Sequence, residues 1–382
     1  MWVSYIIGEN YKQMRYKIFK KAGALLIVGA FSLFAFAGTS SVTTLSATAD
    51  TLLIHPDGPY IIHRDGVTKA IRVSEDGVWE EVVDKNAPFR VISHDGSHSF
   101  EVKLYEVTRP EWKYGQPDEV FIISDPHGNI EPFISILKRH KIIGDSYEWI
   151  FGSNHLVIVG DVFDRGDDVL PIFWLIYKLE EEARIAGGVV HFIPGNHEEM
   201  IMRSNLRYME PKYVALAEEL GIEYRELWSP DSELGNWIMT RNTIEVIGND
   251  LFVHAGLSKE FLEYRWSIPQ LNDSIRLYVY KPKEERDKTE VGKFLFGSNG
   301  PLWYRGMVRT DEQYNPIATV DVDAILKQYE VSRVIVGHTI FREVTLFHDG
   351  KVIGVNVDNQ KNMDEGRTRG LLIKGDQIET VR

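Results

Sequence analysis

Residues 120–129 read Val-Phe-Ile-Ile-Ser-Asp-Pro-His-Gly-Asn, an apolar run that breaks abruptly into Asp125-Pro126-His127. The same grammar recurs four times. His155-Leu-Val-Ile-Val159 runs into Gly160-Asp161-Val-Phe-Asp164-Arg165-Gly166, and Val189-Val-His-Phe-Ile-Pro194 into Gly195-Asn196-His197-Glu198. Asp250-Leu-Phe-Val253 runs into His254-Ala255-Gly256, and the stretch from Val331 to Val336 into Gly337-His338-Thr339. Short apolar runs bounded by Gly, Pro and Asp mark strands buried on both faces. Each of these five closes on a carboxylate, an amide oxygen or an imidazole.

Helical periods lie between them. They are expected at about Ile130–Lys138 (Ile134 and Leu137 on one face), Leu170–Ile185, from Glu198 onward, and Asp323–Gln328. Ile244–Ile247 and Asp250–His254 read as a hairpin around Gly248-Asn249. Glu343 to Val381 alternates strands with Gly and Asp turns. Strands alternating with helices, then hairpins, predict an α/β (α+β) sandwich of mixed sheets. Ligands in such folds gather at strand carboxyl ends, where all five fragments fall.

Residues 50 to about 116 differ. They hold short β-segments at 59–63, 69–73, 89–93 and 99–105, separated by Asp-Gly turns at 57–58, 65–66, 76–77 and 95–96. No candidate chemistry lies there, so the segment is expected to be a small β-rich subdomain or cover, with the catalytic domain at 117–382. Lys281–Glu290 is strongly charged and reads as a solvated loop at a lid edge.

The chain has 382 residues, 43% hydrophobic and 26% charged, and no cysteine. Disulfides, thiolate metal sites, a cysteine nucleophile and a lipoprotein cysteine are therefore excluded. Arg15, Lys17, Lys20 and Lys21 precede an uncharged apolar run from Ala22 to Gly38, and a small-residue stretch ends in Ala47-Thr48-Ala49. This is the order of a secretory signal peptide over residues 1–49, cleaved after Ala49, with Ala35-Phe36-Ala37 as a second site and Met14 as an alternative start. The expectation is an exported protein, periplasmic or extracellular. The alternative is an uncleaved membrane anchor. Residues 1–49 carry five basic and one acidic residue, so the net charge of −13 becomes −17 without them. Such an acidic chain is a poor partner for nucleic acid or anionic membranes. An anionic substrate would need a local cationic centre, which bound metal would supply.

The fragments offer such a centre. Asp125 and His127, two apart on an extended strand end, can reach one cation. Asp161 could bridge two cations roughly 3.5–4 Å apart. Asp164 could orient a catalytic imidazole, and Arg165 offers a planar fork to phosphate oxygens. Asn196 is a neutral oxygen donor and, alternatively, a helix N-cap. His197 is a candidate general acid. His254 and His338 close apolar strands as further ligands, and the other eight histidines fit no such pattern.

The combination Gly-Asp-x-x-Asp-Arg-Gly, Gly-Asn-His-Glu and a following strand-borne histidine resembles the metallophosphoesterase superfamily and its phosphoprotein phosphatase (PPP) branch. Asn205-Leu-Arg-Tyr-Met209, Ser232-Glu-Leu-Gly-Asn-Trp237, Arg241-Asn-Thr-Ile-Glu245 and Gly300-Pro-Leu-Trp-Tyr-Arg305 are similar to the bacterial Shewanella-like protein phosphatases. The resemblance spans Val120 to Asn356. It implies a calcineurin-like sandwich of two mixed β-sheets flanked by helices. It puts Asp125 and His127 on a first metal, Asp161 between two metals, and Asn196, His254 and His338 on the second. It makes His197, paired with Asp164, the general acid, and Arg165 and Arg305 the phosphate-binding arginines. Ser124 stands where the family has Gly before Asp125, and Ala255 where it has Gly after His254.

The resemblance further implies direct hydrolysis of a phosphomonoester by a hydroxide bridging two divalent cations, Mn, Fe or Zn, with no covalent enzyme intermediate. The substrate would be a phosphorylated protein, on tyrosine or on serine/threonine, or a small phosphomonoester. Alternatives on the same fold are a diadenosine-tetraphosphatase-like nucleotide hydrolase and a broad-specificity periplasmic phosphatase. The alternative outside enzymology is a non-catalytic exported binding protein. No stable membrane association is expected once the signal is removed.

Overall fold

The computed structural model describes residues 56–74 and 76–382. The expected signal peptide at 1–49 lies outside them. Among the described residues, no helix is long and apolar enough to cross a membrane.

Two mixed sheets face each other. The first has five strands, in spatial order Gln377–Val381 (β16), Gly370–Lys374 (β15), Val120–Ile123 (β7), His155–Ile158 (β8) and Val189–Phe192 (β9). The second has six: Thr345–Phe347 (β13), Val352–Gly354 (β14), Arg333–Val336 (β12), Asp250–Val253 (β11), Ile244–Ile247 (β10) and Lys113–Tyr114 (β6). β7, β8 and β9 run parallel, as do β11, β12 and β14, while β10–β11 is the antiparallel hairpin read from Gly248-Asn249. Val120, Ile122, Val157, Val159, Phe252, Ile335, Leu371 and Ile373 help to fill the layer between the sheets. Every residue of β7, β8, β10 and β11 is buried, which is why these strands read as continuous apolar runs rather than alternating ones.

Helices cover the outer faces. Helix α1 (Ile130–Arg139) and helix α2 (Val169–Ala186) follow β7 and β8. In α2 every residue from Val169 to Tyr177 is buried, so this helix is a core element, not an amphipathic cover. It ends on Gly187 in the left-handed conformation, φ 83°, whose N–H and that of Gly188 return to the carbonyls of Arg184 and Ala183. Helix α3 (Asn196–Met202) follows β9. Its N-cap is Gly195, so Asn196 sits in the first turn and is not the cap.

The segment before β7 forms a three-stranded antiparallel sheet, β1 (Asp57–Arg64), β2 (Val67–Ser74) and β3 (Gly77–Val82), and a hairpin of β4 (Phe89–Ile92) and β5 (Ser99–Val102). β3 escapes the sequence reading because it is exposed and acidic, Gly-Val-Trp-Glu-Glu-Val. Asp57-Gly58, expected as a turn, lies within β1 at a register irregularity. This region shares a core with α2. Tyr60 packs edge-on against Trp228, and the Trp174 indole donates to Pro59 O at 3.0 Å. β6 pairs in parallel with β10.

Two further expectations need correction. Lys281–Glu290 contains a short helix, Lys283–Arg286, whose Arg286 is buried against Glu199 at 2.6 Å. It is a fastener to α3, not a wholly solvated loop. The C-terminal part also holds helix Asn359–Glu365, which lacks an apolar stripe to announce it.

Candidate metal centre

All five fragments end at one rim of the sandwich, each just past the carboxyl end of its strand. Asp125 follows β7, Asp161 follows β8, Asn196 and His197 open α3 after β9, His254 follows β11 and His338 follows β12. The backbone is forced there. Asp125, His127, Asp161, Asp164, Arg165 and His338 all have φ between +45° and +69°. For residues other than glycine this conformation costs on the order of 1–3 kcal/mol each, and such costs persist where the surrounding structure over-determines the geometry. Two glycines make room: a Cβ on Gly160 would lie 2.5 Å from His254 Nδ1, and one on Gly195 would collide with the Asp161 carboxylate.

Asp161 sits at the centre. His254 Nε2 is 3.2 Å from its Oδ2, and His127 Nε2 and His197 Nε2 are each 3.9 Å from the same atom. Two sets of donor atoms are therefore close enough to grasp a cation, His127–Asp161–His197 and Asp161–His254–His338, and they share Asp161. Asn196 Oδ1 joins the second set at 3.1 Å from His254 Nε2. Asp125 lies behind, its Oδ2 accepting the His338 N–H at 3.2 Å and the Ser124 hydroxyl.

The imidazoles are held in register by their far nitrogens. His127 Nδ1 lies 2.8 Å from Phe163 O and His254 Nδ1 3.0 Å from Val159 O, so each Nε2 is turned toward Asp161. Burial drives the His127 pKa down to about 3, leaving it neutral and ligand-ready. His338 is likewise held well below its ordinary value by burial and then by His254. His254 moves the other way: burial opposes its charge, but Asp161, Asp125 and the Val159 carbonyl together raise its pKa. Burial raises Asp125, with Asp161 adding to it against the pull of His254.

The polar accounting is incomplete in a telling way. Asp125 Oδ1, Asp164 Oδ1 and both ring nitrogens of His338 are buried with no hydrogen-bond partner. Each such orphan costs about 1–3 kcal/mol. Concentrated beside Asp161, the orphans on Asp125 and His338 are the unfilled valences a cation would take. Carboxylates, imidazoles and one amide oxygen suit a borderline divalent ion. The residues present fit a pair of metals.

His197 is placed differently from the other imidazoles. Its Nδ1 donates to Asp164 Oδ2 at 2.5 Å, and its backbone N–H to Asp161 Oδ1 at 2.9 Å. Burial works against its charge, yet Asp161 and the Asp164 hydrogen bond raise its pKa above the ordinary value. It is thus geometrically near the first cation position and electrostatically equipped to hold a proton.

A pocket of about 140 Å³ opens onto this group, lined by His127, Asp161, Asn196, His197 and His338 with Arg165 and Arg305. Arg165 is exposed, its guanidinium 5.9 Å from the Tyr208 ring. Arg305 Nη1 donates to Thr339 Oγ1 at 3.0 Å and His338 O at 3.2 Å. Asp125, Asp164 and His254 stand behind the lining. The structure thus brings together all ten residues singled out in the sequence.

It also adds some. Glu198 is buried, and its carboxylate accepts from the N–H groups of Asp161 (3.0 Å), Val162 (2.9 Å) and Gly195 (2.6 Å). One side chain thereby shapes the Asp161 loop and caps α3. Tyr208 and Trp303 wall the pocket, the Tyr208 ring 5.3 Å from that of His197. Asn356 lines it too, two residues past β14, so the strand-end rule that found the other ligands would have found it.

A mixed two-sheet sandwich with a shared-carboxylate metal site at its strand ends is the architecture of a metallophosphoesterase. The calcineurin-like phosphoesterase family matches residues 119–341, and the chain belongs to that family. Its structure superposes on the crystal structure of a cold-active protein-tyrosine phosphatase from a psychrophilic Shewanella species with a TM-score of 0.77. The two are 30% identical, over 86% of this chain and 99% of that one. Shewanella-like protein phosphatase 2 of Arabidopsis thaliana is 26% identical over 68% of this chain and 73% of its own. Shewanella-like protein phosphatase 1 of Plasmodium berghei (strain Anka) is 29% identical over 58% and 61%.

Proposed function

We propose that this chain is a metal-dependent protein phosphatase acting on phosphotyrosine. The observation that carries the reading is the pair of donor clusters sharing Asp161, with the proton-holding His197 beside Asp161 and two arginines lining the same small pocket. Asp125, His127 and Asp161 would hold one divalent ion, and Asp161, Asn196, His254 and His338 the other. When bound, the ions would offset phosphate charge and supply a hydroxide nucleophile at neutral pH.

The chain's own residues do the rest. Arg165 and Arg305 both line the pocket and hold the phosphoryl oxygens while charge redistributes among them. His197, kept protonated by Asp161 and Asp164, gives the Nε2 proton to the departing oxygen, and Asp164 then steadies the ring. In this reading phosphate passes directly to water, with no covalent enzyme intermediate. The aromatic walls at Tyr208 and Trp303 favour a phenolic leaving group, in keeping with the tyrosine phosphatase named above. The donor set suits Mn, Fe or Zn, and manganese is the ion to test first. The basic, apolar and A-x-A order of residues 1–49 supports export to the periplasm or beyond.

The test is hydrolysis of phosphotyrosine and phosphoserine peptides by manganese-loaded protein. Metal-dependent turnover of phosphotyrosine in excess over phosphoserine is expected. Turnover of dinucleoside polyphosphates alone would overturn the reading, as would no turnover of any phosphate ester.

A further inference from the structure

A second pocket of about 280 Å³ adjoins the catalytic one, and the two share Trp303 and Arg305. Three aromatic side chains, Phe296, Trp303 and Tyr314, line it together with the uncharged polar groups of Ser298, Asn299 and Gln313. Among the described residues, no acidic side chain lines it, and Arg305, its one cation, is engaged by His338 O and Thr339 Oγ1 on the catalytic side. The pocket thus combines aromatic surface with uncharged polar groups and has no free charge to select another charge. At this volume it falls below the usual range for a cofactor or drug-sized ligand, and suits a single side chain.

Its position says what that side chain belongs to. Any ester bound at His197 and Arg165 must send its non-reacting part out of the catalytic pocket. Tyr208 closes part of the rim: the Arg207 guanidinium lies 4.8 Å from the Tyr208 ring and 5.8 Å from the Trp303 ring. Trp303 lines both pockets, so a chain leaving past it meets the second one.

We infer that this second pocket is a substrate subsite that receives an uncharged apolar side chain, aliphatic or aromatic, next to the phosphorylated residue of a protein substrate. It rests on the phosphatase reading above and adds a sequence preference to it. The binding energy is drawn from apolar burial against Phe296 and Tyr314, and small polar groups at the margin accept the peptide backbone.

Two kinds of substrate separate the subsite from the reaction itself. p-Nitrophenyl phosphate fills only the catalytic pocket. A phosphotyrosine peptide carrying Leu or Phe on one flank fills both, and the same peptide with Gly or Asp there does not. For wild-type protein, kcat/KM is expected to favour the Leu or Phe peptide over the Gly and Asp peptides by roughly tenfold, the effect of a well-filled apolar pocket. Ser298→Trp, which obstructs the pocket, and Tyr314→Ala, which opens it, should each erase that preference while p-nitrophenyl phosphate turnover stays within about twofold. Equal kcat/KM for all flanks, a preference for Asp, or a preference that survives both variants would overturn the subsite. If p-nitrophenyl phosphate itself is not hydrolysed, the phosphatase reading fails first.

Discussion

The layer between the two sheets buries histidines in two places, and the contrast separates a structural cluster from a metal site. Along one edge, His191 Nδ1 lies 2.6 Å from Glu245 Oε2 and its Nε2 3.0 Å from His155 Nδ1, while Asn242 donates to the other Glu245 oxygen at 2.9 Å. Tyr114 packs edge-on against both rings. Both His191 nitrogens and both Glu245 oxygens are satisfied. At the strand-end rim, His338 has neither nitrogen satisfied, Asp125 has one oxygen orphaned, and three imidazoles converge on one oxygen of Asp161. Burial, residue type and proximity are alike in the two clusters. What differs is leftover valence and backbone strain: none of His155, His191 and Glu245 has positive φ, whereas six rim residues do. Strain and unfilled valence together mark the site where something else must bind.

The contrast can be broken by changing one residue in each cluster and around them. His197→Ala should lower kcat by about 10²–10⁴-fold on phosphopeptides, the contribution of a positioned general acid. The loss should be smaller on p-nitrophenyl phosphate, whose leaving group needs little protonation. Equal losses on both substrates would make His197 a ligand, not an acid. Glu198→Gln should cost about 10–100-fold in activity or metal affinity, because the residue shapes the Asp161 loop without touching substrate. An unchanged metal affinity and rate would show that the loop holds its form unaided. Glu245→Ala should leave the rate per folded molecule unchanged but lower stability by about 3–5 kcal/mol, as when one partner of a buried pair is removed. Denaturant unfolding alongside activity distinguishes the two outcomes.

The same cluster has a pH signature. Burial first, and then His191, depress the His155 pKa from 6.5 to about 3. A histidine with a depressed folded-state pKa takes up a proton on unfolding between pH 6.5 and about 3, so the fold keeps the full support of this neutral ring only above pH 6.5. That support should decline as pH falls from 6.5 toward 3, and His155→Phe should flatten the decline.

Much of this was legible in the sequence, for a physical reason. Strands such as β7 and β8, buried on both faces, must be written as unbroken apolar runs. A catalytic rim at their carboxyl ends must begin where those runs stop, so Asp125, Asp161, His254 and His338 could be placed by counting. What escaped was whatever acts at long range or without an apolar signal. Two of the partners of Glu198, the N–H groups of Asp161 and Val162, lie more than thirty residues away, and no pattern encodes them. The satisfied and unsatisfied histidines look alike in one dimension, because His191 lies within an apolar strand and His338 just past the end of one. β3 and the helix at Asn359–Glu365 carry too few buried residues to be read at all.

The most direct test of the central claim is the number of metal ions held per chain after manganese loading and removal of excess. Two are expected for the wild-type protein, one or none for Asp161→Asn, and still two for Glu245→Gln, since only the first change touches the shared ligand. A wild-type protein that holds no metal, or an Asp161→Asn variant that keeps two, would contradict it.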